Sequence, residues 1–417
     1  MGVNRWLEQE EGRKVHYVQQ GTKTFRRINL ALFLGGFATF ANLYSTQPLL
    51  PMFSSEFHIS PTLASLSLSV TTVALAVFML VAGSLSESFG RRPMMTLGMV
   101  GTSLTALLIP FSPNFGILVT LRIVEGIVLA GLPAIAMAYL SEEVDKKSLG
   151  IAMGLYISGN SIGGMAGRIL IGIFTSWVSW RFAIFMIGVI SLLCSAIFVG
   201  VLPASRNFVK RPLILSTLLS SLIHHLRDRG LVYLFVVGFM IMGSFVTLFN
   251  YIGYRLMGPP YDLSQGVVGF IFIIYLTGTF SSTWMGRLAD RFGRRKVQWI
   301  AIVIMLCGVL ITEFWPLWLV IVGIGIFTFG FFGAHSLASS WVGRRAVSEK
   351  AQASALYLFF YYAGSSIGGT SGGELWSAYS WGGIVVMISV MLLVALLVTQ
   401  RLSALYKREE AAQTLAR

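Results

Sequence analysis

Charge is what this sequence has least of. Only 12% of its 417 residues are charged, about half the quarter usual in a soluble domain. So few ions cannot cover a water-facing surface, which excludes an ordinary soluble protein of this length. Cysteine is nearly absent. Cys194 and Cys307 each stand inside an apolar run, with no CxxC pair and no metal-ligand spacing. Both are expected as buried free thiols, and neither a disulfide framework nor a metal site is expected. Catalytic signatures are missing as well: there is no GxxxxGK[ST] loop and no HExxH. The chain therefore reads as a non-enzyme without a cofactor. Long soluble stretches are lacking too. The longest are 1–27 and 203–230, too short for the signalling module that a non-transporting membrane sensor would need.

What fills the chain instead is apolar sequence, 55% hydrophobic with a mean hydropathy of +0.75. A helix needs roughly 20 apolar residues to cross the hydrocarbon. Twelve runs qualify, at about 28–52, 62–85, 94–111, 115–140, 149–177, 181–202, 231–254, 265–288, 297–314, 317–342, 351–376 and 382–402. They are numbered here as spans 1 to 12. The polar N-terminal residues carry no cleavable signal and are expected to remain as a poorly ordered tail. Between spans 6 and 7, Leu215, Leu218, Leu219, Leu222 and Leu226 recur at helical spacing, which predicts an amphipathic helix lying on the membrane surface.

Two repeated blocks show duplication. GSLSESFGRRP, Gly83 to Pro93, matches GRLADRFGRRK, Gly286 to Lys296, at an offset of 203; SGNSIGGMAGR, Ser158 to Arg168, matches AGSSIGGTSGG, Ala363 to Gly373, at 205. The expectation is an all-α membrane protein of twelve transmembrane helices in two pseudo-symmetric six-helix domains. Its parts are a tail over 1–27, a first domain over 28–202, a linker over 203–230, a second domain over 231–402 and a tail over 403–417.

Arginine and lysine set the orientation. With both termini in the cytoplasm, 27 of the 31 fall on cytoplasmic segments. The net charge of +14 then marks a face beside anionic lipid and not a nucleic-acid footprint.

Within the spans the clear ions are Arg122, Glu125 and Arg168, with His335 titrating near neutrality. An ion at the bilayer centre costs roughly 2.5–3.5 kcal/mol on insertion scales, so these must face protein or water. Spans 4, 5 and 10 are thus expected to line an interior, with spans 3, 6, 9 and 12 as outer scaffold. Arg122 and Glu125, three apart, share a helix face. They read either as a structural ion pair or as a proton site. Arg168 either snorkels outward or offers a cation to an anionic or electronegative substrate. His335 reads as a packing histidine or a second proton site. Asn42, Gln47, Asn160, Asn250 and Tyr251 either satisfy one another or bind substrate. Gly159, Gly163, Gly164, Gly368 and Gly369 read as close helix packing.

At these motifs the chain resembles the major facilitator superfamily over nearly its whole length. Gly286 to Lys296 is similar to that family's hinge signature, GxLaDrxGrk, and Gly83 to Arg92 is similar to its first-half copy, with Glu87 in place of the usual Asp. The resemblance implies a gating role for Gly83, Glu87, Gly90, Arg91, Gly286, Asp290, Gly293 and Arg294. It also implies that Glu87 faces the cytoplasmic start of span 11 and Asp290 that of span 5. Arg91 is within reach of Glu142 or Glu143, whereas span 10 ends in Arg344 and Arg345. Arg122 to Gly126 resembles the family's span-4 signature, with Glu125 where glutamine is frequent. Gly159 to Gly164 resembles its span-5 antiporter signature, with Asn160 in place of proline. These likenesses imply a monomeric secondary transporter in the bacterial inner membrane, of the drug- or sugar-efflux type. It would exchange a small-molecule substrate for protons. The alternative is a sugar or metabolite exporter.

Overall fold

The structure, a computed structural model, describes residues 17–210, 215–347 and 349–415, with backbone alone at 215–218, 410 and 412–415. Residues 1–16 of the tail expected over 1–27 lie outside the described residues, as do the side chains of Leu215 and Leu218. The described chain is helical apart from one bridge between Val18 and Val144.

Nine helical stretches among the described residues are long and apolar enough to cross a bilayer. The last, Lys350–Glu409, holds two crossings, because helix Lys350–Leu415 is broken at Ser380 (φ 52°, ψ −141°). Two further crossings carry more polar residues. Lys146–Trp177 is diluted by Gly, Ser, Asn160 and Arg168, and Arg294–Ile311 begins with three cations. The total is twelve transmembrane helices in two six-helix halves.

Glycine sets the core of each half. A methyl on Gly159 or Gly163 would fall on the carbonyl oxygen of Phe33 or Phe37, and one on Gly167 would lie 2.7 Å from the Ala41 Cα. Span 5 thus rests on span 1 through a stripe at i, i+4 and i+8. The second half repeats this 205 residues later: Gly364 meets Phe239, Gly368 meets Gly243 at 2.9 Å, and Gly372 meets Tyr251 at 2.6 Å. Gly164 and Gly369 do not belong to these stripes. They face Arg168 Nη1 and Asn250 Nδ2, at 3.4 and 2.8 Å from where a Cβ would stand, so they make room for polar side chains.

The ends bearing the two hinges, the linker and both described termini form one basic face. The halves meet away from it. Gln265 donates to the Pro48 carbonyl (2.6 Å), Tyr254 to that of Leu50 (2.8 Å), and Thr62 to Glu374 (2.9 Å). Nearer mid-membrane, Thr370 donates to Ser69 (2.8 Å). Gly172 of span 5 touches Gly269 of span 8 backbone to backbone, while Ile151 and Leu155, nearer the basic end, are exposed. The contacts are one-sided, and the halves open toward the basic face.

Several expected boundaries shift. Span 1 is interrupted: helix Lys23–Leu43 gives way to a 3₁₀ turn, Gln47–Leu49, and helix Leu50–Glu56. Pro48 and Pro51 lack the amide hydrogens that a continuous helix needs. Span 12 does not end at 402 in a tail, because its helix runs to Leu415. The linker helix spans Leu215–Arg227, but Leu222 turns inward against the second-half core. Leu219, Ile223 and Leu226 form its exposed stripe. Cys194 is buried, whereas Cys307 is exposed on the flank of span 9.

The stripes make a direct prediction. Gly163→Ala forces the Phe37 carbonyl aside and should destabilise by about 1–3 kcal/mol, the usual cost of overpacking. Gly154→Ala, with nothing within 4 Å of the added methyl, should be neutral or stabilising. Thermal unfolding of the two purified variants in one detergent distinguishes these outcomes.

Candidate functional site

The break in span 1 takes its helix-end carbonyls out of the regular helix ladder, with Asn42 accepting from the Ser45 amide (3.2 Å). Arg122 of span 4 adds to this. Its Nη1 donates to the Asn42 carbonyl (3.1 Å), its Nη2 to that of Leu43 (2.8 Å), and its Nε to that of Ser67 in span 2 (2.8 Å). Nη1 also contacts Glu125 Oε2 at 2.5 Å, with both side chains fully buried. Arg122 therefore ties three helices together and carries the one carboxylate at this depth among the described residues. Asn42 contributes its backbone; its side chain donates to the Ala38 carbonyl (2.7 Å).

The same break turns Tyr44 and Gln47 toward the second half. Gln47 is a relay: its Oε1 accepts from Arg168 Nε (2.7 Å), and its Nε2 donates to Asn250 Oδ1 (2.8 Å). Spans 5, 1 and 7 meet there. Arg168 does not snorkel. It is 1% exposed, and its guanidinium lies over the ring of Tyr44 at 4.0 Å, with Tyr275 at 5.0 Å and Phe272 at 5.1 Å. Its Nη1 donates to the Gly164 carbonyl (2.5 Å), and Tyr361 lies within Coulombic reach. No carboxylate among the described residues pairs with it. Beside it, the buried Tyr275 hydroxyl and Asn250 Nδ2 have no hydrogen-bond partner among the described residues. A cation without an anionic partner thus lies beside two unpartnered polar groups.

The facing wall is aromatic. Phe245 stacks on Phe331 at 3.8 Å and packs against Tyr275 and Phe249. His335 lies in this wall, with Nδ1 3.0 Å from the Tyr357 hydroxyl and its ring between Phe331 and Tyr361. Two expected site residues lie apart. Asn160 packs on the Gly36 backbone in the seam between spans 1 and 5, and Tyr251 donates to the Gly369 carbonyl (2.6 Å). Tyr44, Tyr275 and Tyr361 were missed as site residues. Their signal was a tyrosine inside an otherwise apolar run.

At the basic face both hinge glycines take positive φ, 103° at Gly90 and 87° at Gly293, which glycine alone tolerates readily. Arg91 bonds Glu142 (2.7 Å), Ser86 Oγ (2.5 Å) and the Gly83 carbonyl (3.3 Å), with Glu87 at 3.6 Å. Glu143 instead accepts from the linker amides of Arg206 and Asn207. In this open arrangement the hinge acids have near neighbours of their own: Glu87 faces Arg91, and Asp290, 72% exposed, faces Arg294 at 3.5 Å. Gly286 has open space around it. The second half is closed differently. Arg345 of span 10 bonds Asp228 of the linker (2.7 Å) and Glu409 of the last helix (3.0 Å).

Asp228 caps span 7 by accepting from the amides of Gly230 and Leu231. Burial alone would raise its pKa, but the Arg345 hydrogen bond and those amides hold it below the usual carboxylate range. A depressed pKa gives stability that is complete above the unfolded value, about 3.9, and is lost as pH falls through the folded one. Asp228→Asn should therefore lower the unfolding temperature at pH 7. That difference should shrink only below about pH 4, as a pH series of thermal unfolding would show.

Comparison with known proteins bears on the whole chain. The family model described as Major Facilitator Superfamily matches residues 32–273 and 250–416. The MFS-type transporter YybF of Bacillus subtilis (strain 168) is 56% identical over 380 residues, 91% of this chain and 94% of that protein. The inner membrane transport protein YnfM of Escherichia coli (strain K12) is 48% identical over 386 residues, 93% of each. Among solved structures, a bacterial homolog to the human lysosomal transporter Spinster, in an inward-facing and occupied conformation, superposes with a TM-score of 0.74. It is 16% identical and covers 92% of this chain and 98% of its own.

Proposed function

The chain belongs to the Major Facilitator Superfamily and is a membrane transporter, and from that premise we propose that it exports a small organic anion in exchange for protons. The basic face is then cytoplasmic, in a bacterial inner membrane, and the structure is its inward-open state. The domains are 28–202 and 231–402, which rock about the contacts near Gln47 and Asn250.

The observation that carries the substrate class is Arg168, a buried guanidinium with no carboxylate partner among the described residues, beside two unpartnered polar groups. An unpaired ion in low dielectric is held at a cost of several kcal/mol, which an anion entering the site would offset. The charged groups come from the first half, and the aromatic wall, with Asn250 and Tyr275, from the second. The fitting substrate is therefore amphipathic, with an acid group at Arg168 and an apolar body against Phe245, Phe331 and Tyr361. A lipophilic cation would meet like charge. A neutral sugar or metabolite is the second reading, favoured by the Gln47–Asn250 pair. Transport or binding of size-matched anionic, neutral and cationic compounds tests this on wild type and Arg168→Ala. The anions should be preferred. The variant should lose at least about tenfold for anions, because truncating a buried charge partner costs roughly 2–5 kcal/mol. A wild-type preference for cations, unchanged in the variant, overturns the reading.

Glu125 is the proposed proton site, and His335 is the next candidate. Protonation removes the carboxylate from Arg122 and leaves that cation on three carbonyls, biasing the break in span 1. Glu125→Gln should abolish pH-driven accumulation in vesicles while substrate-for-substrate exchange survives, since exchange moves no proton. Normal pH-driven transport in this variant would place the coupling elsewhere.

A further inference from the structure

The two hinges are copies in sequence and opposites in charge balance. In the first, Arg91 is met by Glu142 at 2.7 Å, and Arg92 donates to the Val199 carbonyl (2.9 Å). Applying the hinge offset of 203, Arg91 becomes Arg294 and Glu142 becomes Arg345. The acid has been replaced by a cation, and that cation is already engaged by Asp228 and Glu409. Arg294 is left with the exposed Asp290 at 3.5 Å, and its buried Nε has no hydrogen-bond partner among the described residues.

Around it lies an open cleft of about 1100 Å³ between the second hinge, span 10 and span 12. Arg294, Lys296, Arg344 and Lys407 line it, with Trp299 and Tyr406. No carboxylate among the described residues pairs with Lys296, Arg344 or Lys407. The cleft also opens onto the start of helix Arg294–Ile311, which has no side-chain cap and no acid in its first turn. Cations such as Arg294 and Lys296 at a helix's positive end are unfavourable unless an anion joins them.

We propose that this cleft binds the headgroup of an anionic phospholipid, whose phosphate supplies the charge that Glu142 supplies in the first half. The walls favour a lipid over a free anion. Trp299, Ile300 and Phe292 are exposed apolar side chains at its rim, and Leu310 is exposed farther along the same helix. A soluble phosphate makes no contact with them, whereas the acyl chains of a bound lipid run along them. A tryptophan beside a basic cluster is the usual boundary pairing of headgroup and hydrocarbon. The bound lipid would pin the second hinge to span 12 and set how readily that hinge moves.

The test uses the full chain, purified and transferred to nanodiscs of phosphatidylcholine with or without phosphatidylglycerol. Phosphatidylglycerol should raise the unfolding temperature, and Arg344→Gln/Lys407→Gln should lose at least half of that rise. Lys146→Gln/Lys147→Gln, on the first-half loop of the same face, should keep it. Retention of the full rise in the Arg344/Lys407 variant overturns the proposal. So does an equal rise from inorganic phosphate or glycerol phosphate, which would mark a free-anion site. A second measurement does not depend on the basic variants folding. The fluorescence due to Trp299, taken as wild type minus Trp299→Phe, should be quenched more by brominated phosphatidylglycerol than by brominated phosphatidylcholine. Equal quenching by the two also overturns the proposal.

Discussion

A broken helix in a bilayer leaves carbonyls that water cannot reach, and the interior of this protein follows from how they are satisfied. Two prolines, Pro48 and Pro51, interrupt span 1. Arg122 answers the break by donating to the carbonyls of Asn42 and Leu43. A buried guanidinium in turn requires a counter-charge, and Glu125 supplies it one turn away. The only deep ion pair among the described residues is thus a consequence of a backbone irregularity, tolerable at this depth because protein surrounds it. The break also points Tyr44 and Gln47 at the second half, and that is where Arg168 and Asn250 are gathered.

The halves share a backbone plan and divide the chemistry. Glycine stripes 205 residues apart hold span 5 to span 1 and span 11 to span 7. The side chains between the halves are unlike. Arginines, Glu125 and Gln47 come from the first, while Phe245, Phe249, Tyr275, Phe331 and His335 come from the second. A symmetrical frame with one polar and one aromatic wall can grip both ends of an amphipathic molecule, which two equal walls could not. The basic face repeats the lesson, since the acid that closes the first hinge has become arginine in the second.

Much of this was legible in the residues. Hydrophobic length gave the crossings, and the repeats gave the two halves, because both signals are local. The paired Arg122 and Glu125 were visible as neighbours on one helix turn. Other features depended on distant partners. Nothing near Arg168 in sequence says that Gln47 and Tyr44 would receive it, so burial and snorkelling both stayed open. Gly164 and Gly369 looked like part of the packing stripes because glycine spacing alone does not say which face meets a helix and which meets an arginine. The length of span 12 was misread at 402 because its polar continuation to Leu415 is held by tertiary pairs. These are Arg345 with Glu409, and Trp341 with the Tyr406 hydroxyl (2.8 Å).

The unequal strength of these contacts says what can move. Within a half, the glycine stripes place backbone against backbone, and shifting them means losing dispersion contacts along whole helices. Between halves, the joints are short backbone contacts such as Gly172 on Gly269 and single hydrogen bonds such as Thr62 to Glu374 and Thr370 to Ser69, the bonds each worth about 0.5–1.5 kcal/mol net. A rocking motion would therefore separate the halves long before it disturbed either one. The Gln47–Asn250 contact is buried between the halves, and Gln47 there also holds Arg168. A ligand that drew Arg168 away from Gln47 would loosen the same side chain that links the halves. Substrate binding and the opening of the joint would then compete for one glutamine, which is how a small molecule could bias a motion much larger than itself.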